Sequence, residues 1–270
     1  MNRVARTFGA LAGILLMLVG CNGESGGTGQ LAVLMTDAPI DNVETAVVWV
    51  SSVYVIGGDD TNGTHFVVLS TPQSYDLLDL TNGATAALGV VTLPTGSYSQ
   101  LRFVVDSARV TLKAPMTFSD GSTSKTMKTP SGQQSGIKVN FAGPINVTQG
   151  QTVLVVDFDV SRNFVFTGPP GSPTGVLFKP VLHATVQDVA GSIAGNVTPL
   201  NSKAHLYAIM NGDTVTSAIA DSVTGNYKLW FLPPGPYTVG VTATGLQPQT
   251  ATTTVGNGQA VVGVNFALVP

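Results

Sequence analysis

The sequence predicts an all-β protein built from two antiparallel β-sandwiches in tandem. Short runs of β-branched and aromatic residues alternate with turn residues, and the chain holds 31 glycines and 16 prolines. Charged residues make up only 10% of the chain, against about 25% in typical globular proteins. No stretch beyond the N-terminal apolar segment has the periodicity of an amphipathic helix. These features together favour many short strands joined by tight turns.

Residues 1–20 have the layout of a bacterial export signal that ends at the chain's single cysteine. Arg3 and Arg6 precede an apolar run over residues 10–19, which is too short to span a membrane comfortably. Leu18-Val19-Gly20-Cys21 is typical of the lipobox, in which the thiol takes a diacylglyceryl group. An ordinary signal peptide that happens to end at a cysteine is the alternative interpretation. We expect cleavage before Cys21 and lipid attachment to it.

The segment after the cysteine predicts where the protein is held. Residues 21–29 are rich in glycine and read as a flexible tether. Asn22 follows the cysteine, and by resemblance to enterobacterial lipoproteins this favours the outer membrane. With a net charge of −3 and 12 Lys and Arg residues, the chain offers no electrostatic case for nucleic acid. We therefore predict an exported protein, anchored by lipid at the outer membrane or cell surface of a bacterium.

Residues 30–188 are predicted to form the first sandwich. Pro39 has no backbone N–H to donate, so it should end the first strand. Tyr75–Leu80 fits either a strand or one helical turn. The remaining predicted strands are Leu31–Thr36, Val43–Ile56, His65–Leu69, Ser97–Asp106, Arg109–Leu112, Ile137–Phe141, Gln151–Val160 and Val181–Gln187.

Residues 191–270 are predicted to form the second sandwich. Roughly seven short strands follow one another in about eighty residues, a count typical of a small immunoglobulin-like or prealbumin-like sandwich. The two regions also share a short motif, because Leu93–Tyr98 (LPTGSY) matches Leu232–Tyr237 (LPPGPY). We interpret it as a shared corner, in which Leu fills the core, Pro-x-Gly turns the chain and Tyr starts the next strand. A ligand-binding loop is the alternative.

The first region resembles the bacterial domain of unknown function family numbered 4382. The resemblance is carried, in order, by Thr36–Pro39 (TDAP), Tyr75–Gly83 (YDLLDLTNG), Leu93–Arg102 (LPTGSYSQLR), Pro130–Gly132 with Gly136–Lys138, Asp157–Asp159 (DFD) and Phe178–Leu182 (FKPVL). Members of the family are commonly secreted or lipid-anchored, and the resemblance implies no activity. The chain departs from the family's pattern at Phe103, where Leu is more usual.

The second region resembles the carboxypeptidase regulatory-like, transthyretin-like domain. The resemblance is carried by Gly191–Val197 (GSIAGNV), Gly225–Tyr227, Leu232–Val239 and Ala243–Gly245. It implies a module that accompanies catalytic or surface domains and is not the peptidase. The associated zinc site needs a His with a Glu three residues later, and none of the three histidines here has one.

Asp157 and Asp159 form the best candidate for chemistry. Residues two apart on a strand point to one face, so both carboxylates could meet a hard cation such as Ca²⁺, with Asp37 or the loop 161–163 completing the site. The alternative is a pair of solvated or salt-bridged carboxylates, with Lys179 or Arg102 as partner. A metal site at Asp157 and Asp159 would therefore use oxygen ligands.

The sequence favours a binding protein over an enzyme. It contains no Gly-x-Ser-x-Gly elbow, no Walker loop and no dinucleotide fingerprint. We predict a non-catalytic cell-envelope lipoprotein that acts in adhesion, binding or surface architecture, with a glycan or a surface protein as partner. The alternative hypothesis is a metal-dependent hydrolase that uses the Asp157/Asp159 face.

Overall fold

The computed structural model describes residues 27–57, 64–129, 136–141 and 143–270, and Cys21 lies outside these residues. Strands dominate the described chain, which confirms the all-β prediction. Among the described residues, no helix is long and apolar enough to span a membrane. The first sandwich contains β1 (Thr28–Thr36), β2 (Val43–Ile56), β3 (His65–Leu69), β4 (Gln73–Asp76), β5 (Ala86–Pro94), β6 (Gly96–Tyr98), β7 (Gln100–Leu112), β8 (Ser124–Lys128), β9 (Ile137–Phe141), β10 (Ile145–Val147), β11 (Gln151–Asp157), α1 (Val160–Asn163), β12 (Phe164–Thr167), β13 (Gly175–Phe178) and β14 (Leu182–Val186).

A ten-stranded sheet forms the frame of the first sandwich. Its path runs β3-β2-β7-β9-β14-β11-β1-β5, with β4 paired to β2 and β8 paired to β7. Most pairs are antiparallel, but β1 runs parallel to β11 and β9 runs parallel to β14. The end strands β3 and β5 meet closely, since a Cβ on Gly89 would lie 2.3 Å from the Val68 carbonyl oxygen. The sheet therefore curls back on itself around one core.

Large apolar side chains fill this core. Phe103 and Phe158 are fully buried and pack edge to face, with ring centroids 5.6 Å apart. Burial along β7 alternates with the period of a strand on either side of Asp106-Ser107, where two successive residues are both partly exposed. The strand predicted at Ser97–Asp106 is divided between β6 and β7, and β7 continues through Ser107 and Ala108 to include the strand predicted at Arg109–Leu112. The segment Tyr75–Leu80, predicted as either a strand or a helical turn, contains both. β4 ends at Asp76, and a 3₁₀ turn covers Leu77–Leu80.

The second sandwich has two four-stranded sheets around its own core. One sheet runs β18-β15-β21 with β22 also on β15, and the other runs β17-β16-β19-β20. Buried apolar residues between Ile193 and Leu268 fill the space between the sheets. Its strands are β15 (Gly191–Thr198), β16 (His205–Met210), β17 (Asp213–Ile219), β18 (Asn226–Leu232), β19 (Gly235–Thr242), β20 (Gln249–Val255), β21 (Ala260–Val261) and β22 (Phe266–Ala267).

Both copies of the shared motif form the same corner. Tyr98 donates its hydroxyl to the Pro94 carbonyl and Tyr237 donates to the Pro233 carbonyl, each over 2.8 Å. Both tyrosine rings are buried. The geometry agrees with the predicted shared corner, and we refer to these two places as the tyrosine corners.

Candidate site at the junction of the two sandwiches

The second sandwich contacts one end of the first through polar side chains. Arg162 donates to the Thr214 carbonyl over 2.6 Å, and the hydroxyl oxygens of Ser161 and Ser217 are 3.0 Å apart. His205 and Asp41 also meet, with Nε2 and Oδ2 separated by 3.2 Å. We call this contact the junction; it joins residues 36–41, 81–83 and 157–162 of the first sandwich to β16–β18 of the second.

The parallel pairing of β1 with β11 explains why distant residues meet at the junction. Thr36 stands opposite Asp157 in the register, so both strands end at the same edge of the sheet. The Phe158 N–H then donates to the Thr36 carbonyl over 3.1 Å, and the Asp37 N–H donates to the Leu80 carbonyl over 3.0 Å. Three segments that are far apart in the sequence are therefore held together where β1 and β11 stop.

Three aspartates are buried at this edge. The solvent-exposed fractions of Asp37, Asp157 and Asp159 are only 5%, 8% and 3%. Asp37 Oδ1 accepts from the Val160 N–H over 2.8 Å, and Asp157 Oδ1 accepts from the Asp159 N–H over 3.0 Å. The sequence named all three residues as candidate ligands, and the structure brings them together.

The second sandwich supplies hydroxyl donors to two of these carboxylates. Thr216 donates to Asp157, and Ser217 donates to Asp159 Oδ1 over 3.1 Å. Ser161, from the first sandwich, donates to the same Asp159 oxygen. Both Thr216 and Ser217 come from β17, so one strand of the second sandwich reaches into the carboxylate cluster of the first.

Asp157 and Asp159 do not share a strand face, which differs from the expected geometry. β11 ends at Asp157, and Asp159 has a left-handed backbone with φ 40° and ψ 77° at the start of α1. The expected period of two therefore fails, because the chain turns between the two residues. Neither carboxylate is solvated, and within the described residues neither forms an ion pair closer than 4 Å. The suggested partner Arg102 instead donates to the Gly136 carbonyl and the Gln100 side chain.

Burial makes the junction carboxylates weak acids. Loss of solvation, together with the nearby charge of Asp159, raises the pKa of Asp157 to about 7. The pKa of Asp37 is raised by burial and by the charges of Asp157 and Asp159. Burial also raises the pKa of Asp159, although its hydroxyl donors act in the opposite direction. The cluster therefore favours whatever positive charge can neutralise it.

A cavity of about 10 Å³ lies within the junction, which is space for roughly one water molecule or ion. Oxygen-bearing side chains from both sandwiches line it, together with Lys228 and Trp230. Trp230 lies against the Asn82-Gly83 turn, since a Cβ on Gly83 would be 3.0 Å from two atoms of the indole ring. The Lys228 ammonium sits 3.5 Å from the centroid of that ring.

The metal prediction for Asp157, Asp159 and Asp37 stays a prediction. Within the described part of the chain, no group of three or more His, Cys, Asp or Glu side chains is placed so that it could hold a metal ion. Sequence reasoning missed Thr216, Ser217 and Trp230. Nothing in their local sequence marks them, because a docking surface has no periodicity of its own.

Comparison with solved structures gives only distant similarities. The Bacillus anthracis TIE protein is 12% identical with a TM-score of 0.26, and 90% of this chain aligns to 34% of that one, so this chain spans about a third of its length. BcpA, the major pilin subunit of Bacillus cereus, is 12% identical with a TM-score of 0.25, covering 90% of this chain and 70% of that one. The tip fimbrial protein Mfa3 from Porphyromonas gingivalis is 11% identical with a TM-score of 0.17, covering 84% and 81%.

The family comparison is more direct. No curated protein matches the sequence. One family model matches residues 28–180, which is more than half of the chain and includes all three junction aspartates. The chain therefore belongs to the family described as Domain of unknown function (DUF4382).

Proposed function

We propose that this protein is a non-catalytic lipoprotein of the bacterial cell envelope that displays two β-sandwiches for binding or adhesion. The observation that carries the proposal is the sequence Leu18-Val19-Gly20-Cys21, followed by a glycine-rich tether and then by strand β1. A lipid on Cys21 holds the chain at the membrane, because several acyl chains on one residue suffice for stable anchoring.

The position of β1 supports a role as a surface scaffold. β1 is the first strand after the tether, and it is hydrogen-bonded to β11 on one side and to β5 on the other. A pull on the tether therefore acts on a strand inside the sheet, where many hydrogen bonds must break together. The junction then links the second sandwich to the same sheet edge, since β1 ends beside Asp37.

The hydrolase hypothesis has less support from the geometry. A substrate site usually has a volume of hundreds of Å³, whereas the cavity beside Asp157 has about 10 Å³. Asp157 and Asp159 are also buried behind the second sandwich. A glycan or a neighbouring surface protein is the partner class that we propose for the displayed sandwiches, in place of a hydrolysed substrate.

Loss of the cysteine tests the anchor. Cys21→Ala should abolish labelling by radioactive palmitate in the bacterial host and move the protein from the membrane fraction to the soluble fraction. Ser25→Ala in the tether is the matched control and should leave labelling unchanged. Palmitate labelling that survives in Cys21→Ala would contradict the lipoprotein proposal.

Retention on glycans and on whole cells tests the binding role. The purified protein should bind an immobilised glycan or a cell surface saturably, with no chemical change in the retained molecule. Mass spectrometry of the glycan after incubation separates binding from hydrolysis. Cleaved products would overturn the non-catalytic assignment.

A further inference from the structure

We propose that the junction cavity binds a single hard cation of the Ca²⁺ class between Asp37 and Asp157, and that this cation fastens the two sandwiches together. The inference is independent of the lipid anchor and of any glycan partner. It concerns only the edge where β1 and β11 end against the second sandwich.

An unused carboxylate oxygen points to a ligand at this place. Asp37 lines the cavity and is 5% exposed, and its Oδ2 has no hydrogen-bond partner among the residues that the structure describes. Its other oxygen is fixed by the Val160 N–H. A buried carboxylate oxygen without a donor is costly, so a cation in the cavity would satisfy an acceptor that the protein leaves open.

The ligand pair differs from the one that the sequence suggested. Asp37 and Asp157 line the cavity, whereas Asp159 does not. Asp159 Oδ1 accepts from Ser161 and Ser217, which makes it a positioning residue that holds β17 at the junction, and its Oδ2 has no partner among the described residues. In the part of the chain that the structure describes, Asp37 and Asp157 are the only two carboxylates that line the cavity. Any further ligands of the cation must therefore be neutral oxygen atoms.

Neutral oxygen donors from both sandwiches complete the lining. Thr36 and Asn82 come from the first sandwich, and Thr216 and Ser217 come from the second. Carboxylate, hydroxyl and amide oxygens are the ligands of hard cations, and the absence of sulfur or imidazole in the lining argues against Zn²⁺. Because oxygen ligands come from both modules, cation binding should favour the docked arrangement.

The nearby basic side chains do not neutralise the buried carboxylates, so one bound cation could do so. Besides the three buried aspartates, the junction contains Asp41, which meets His205, and Asp213 at the start of β17, and neither of these two lines the cavity. Arg162 is directed to the Thr214 carbonyl, and Lys228 is held over the Trp230 ring. Within the described chain, Lys228 forms no ion pair closer than 4 Å. His183 lies close to Arg162, and burial and that charge lower its pKa, so the imidazole is neutral at pH 7 and adds no cation.

Terbium luminescence provides a direct test, because Tb³⁺ replaces Ca²⁺ and is excited by a nearby indole. Titration of the purified full-length protein with Tb³⁺ should give sensitised emission that Ca²⁺ displaces. Asp37→Asn and Asp157→Asn should each weaken Tb³⁺ binding at least about tenfold, since each removes one of two charged ligands. The exposed Asp188→Asn is the matched control and should bind as the parent does.

The tryptophan identifies the place of binding. The protein has two tryptophans, and only Trp230 lines the cavity. Trp230→Phe should lose most of the sensitised emission while Ca²⁺ still raises the melting temperature. Trp49→Phe should keep the emission. Emission that follows Trp49 would place the ion elsewhere and overturn the proposal.

Thermal melting gives an independent readout of the same site. Saturating Ca²⁺ should raise the melting temperature of the parent by at least about 3 °C and EDTA should reverse the rise. Folded Asp37→Asn, checked by circular dichroism, should show no Ca²⁺ response. Absence of any Tb³⁺ or Ca²⁺ response in the parent at millimolar concentration would mean that protons alone neutralise the cluster, and the proposal would be wrong.

Discussion

The tyrosine corners and the junction use buried polar groups in opposite ways. At each corner one hydroxyl meets one carbonyl four residues away, over 2.8 Å in both sandwiches. At the junction, three carboxylates from segments about 120 residues apart share a small space, and two of their oxygens have no partner within the described part of the chain. The corners are complete within their own sequence, whereas the junction carboxylates need a further positive charge.

This difference determines how each region should respond to substitution. Removing a satisfied hydrogen bond destabilises a protein, because the carbonyl that remains is buried without its donor. Removing one of several crowded carboxylates relieves repulsion instead. The corners therefore contribute to stability, and the junction contributes to it only when its charge is neutralised.

Truncation of a corner tyrosine should have the largest effect. Tyr237→Ala removes both a buried ring and a buried hydrogen bond, so we expect the free energy of unfolding to fall by about 3–5 kcal/mol. Tyr98→Ala should cost a similar amount in the first sandwich. Urea denaturation measures both losses. A loss below about 1 kcal/mol at either position would show that the two corners are not equivalent.

The junction should respond to pH in the direction opposite to ordinary acid denaturation. The pKa of Asp157 is raised from 3.8 to about 7 in the fold, so the folded state binds a proton more tightly than the unfolded state. The associated stability is complete below pH 3.8 and is lost as the pH rises through about 7. In EDTA, we expect a loss on the order of 2–4 kcal/mol across this window.

Asp157→Asn is the control for this pH dependence. The amide carries no charge at any pH, so the variant should lose less stability on going from pH 5 to pH 8, as followed by urea denaturation in EDTA. Asp120 and Asp221, whose pKa values are lowered by hydrogen bonds, titrate below this window. A parent protein that is more stable at pH 8 than at pH 5 would contradict the assignment.

Local sequence was sufficient to predict the corners. Leu-Pro-x-Gly-x-Tyr contains the core residue, the turn and the donor within six positions, so no distant segment is needed to complete it. The same holds for the strands that β-branched runs mark, whereas β5, β8, β10, β12 and β13 were not among the predicted strands. Even Asp37 could be named as a candidate ligand, and it stands two residues before Pro39, where the first strand must end.

The junction could be predicted only in part, because its geometry depends on pairing between distant segments. The parallel register of β1 with β11 brings Asp37 beside Asp157, and two such runs give no sign in the sequence that they will pair. The left-handed turn at Asp159 also removed it from the expected strand face. Thr216, Ser217 and Trp230 belong to a different sandwich, and only its docking gives them a role.

A methyl group at Gly83 should open the junction without affecting either core. Gly83 has φ +85° and a Cβ there would lie 3.0 Å from the Trp230 ring, whereas Gly121 has φ +80° and open space around it. Both alanine substitutions carry the same backbone strain. We therefore expect Gly83→Ala to cost about 1–2 kcal/mol more than Gly121→Ala, and the added substitution Trp230→Ala should narrow that gap in urea denaturation.

Limited proteolysis can show which part of the molecule Gly83→Ala destabilises. The connection between the sandwiches runs through the 3₁₀ turn Gln187–Val189, and an open junction should make it cleavable while both sandwiches stay intact. Gly121→Ala should leave the connection protected. Cleavage within β1 or β15 in place of the connection would mean that the substitution damaged a core and not the junction.

Removal of only the corner hydroxyl should have the smallest effect on the free energy of unfolding. The same substitution in both sandwiches also compares them directly. Tyr98→Phe and Tyr237→Phe keep the ring in the core and delete one 2.8 Å hydrogen bond each. Each should lower the free energy of unfolding by about 1 kcal/mol, and the two losses should add in the double variant because the corners lie in separate cores. Urea denaturation of the parent, the two single variants and the double variant measures whether the two losses add. A double loss that differs from the sum by more than about 0.5 kcal/mol would show that the two corners are energetically coupled and would contradict this prediction.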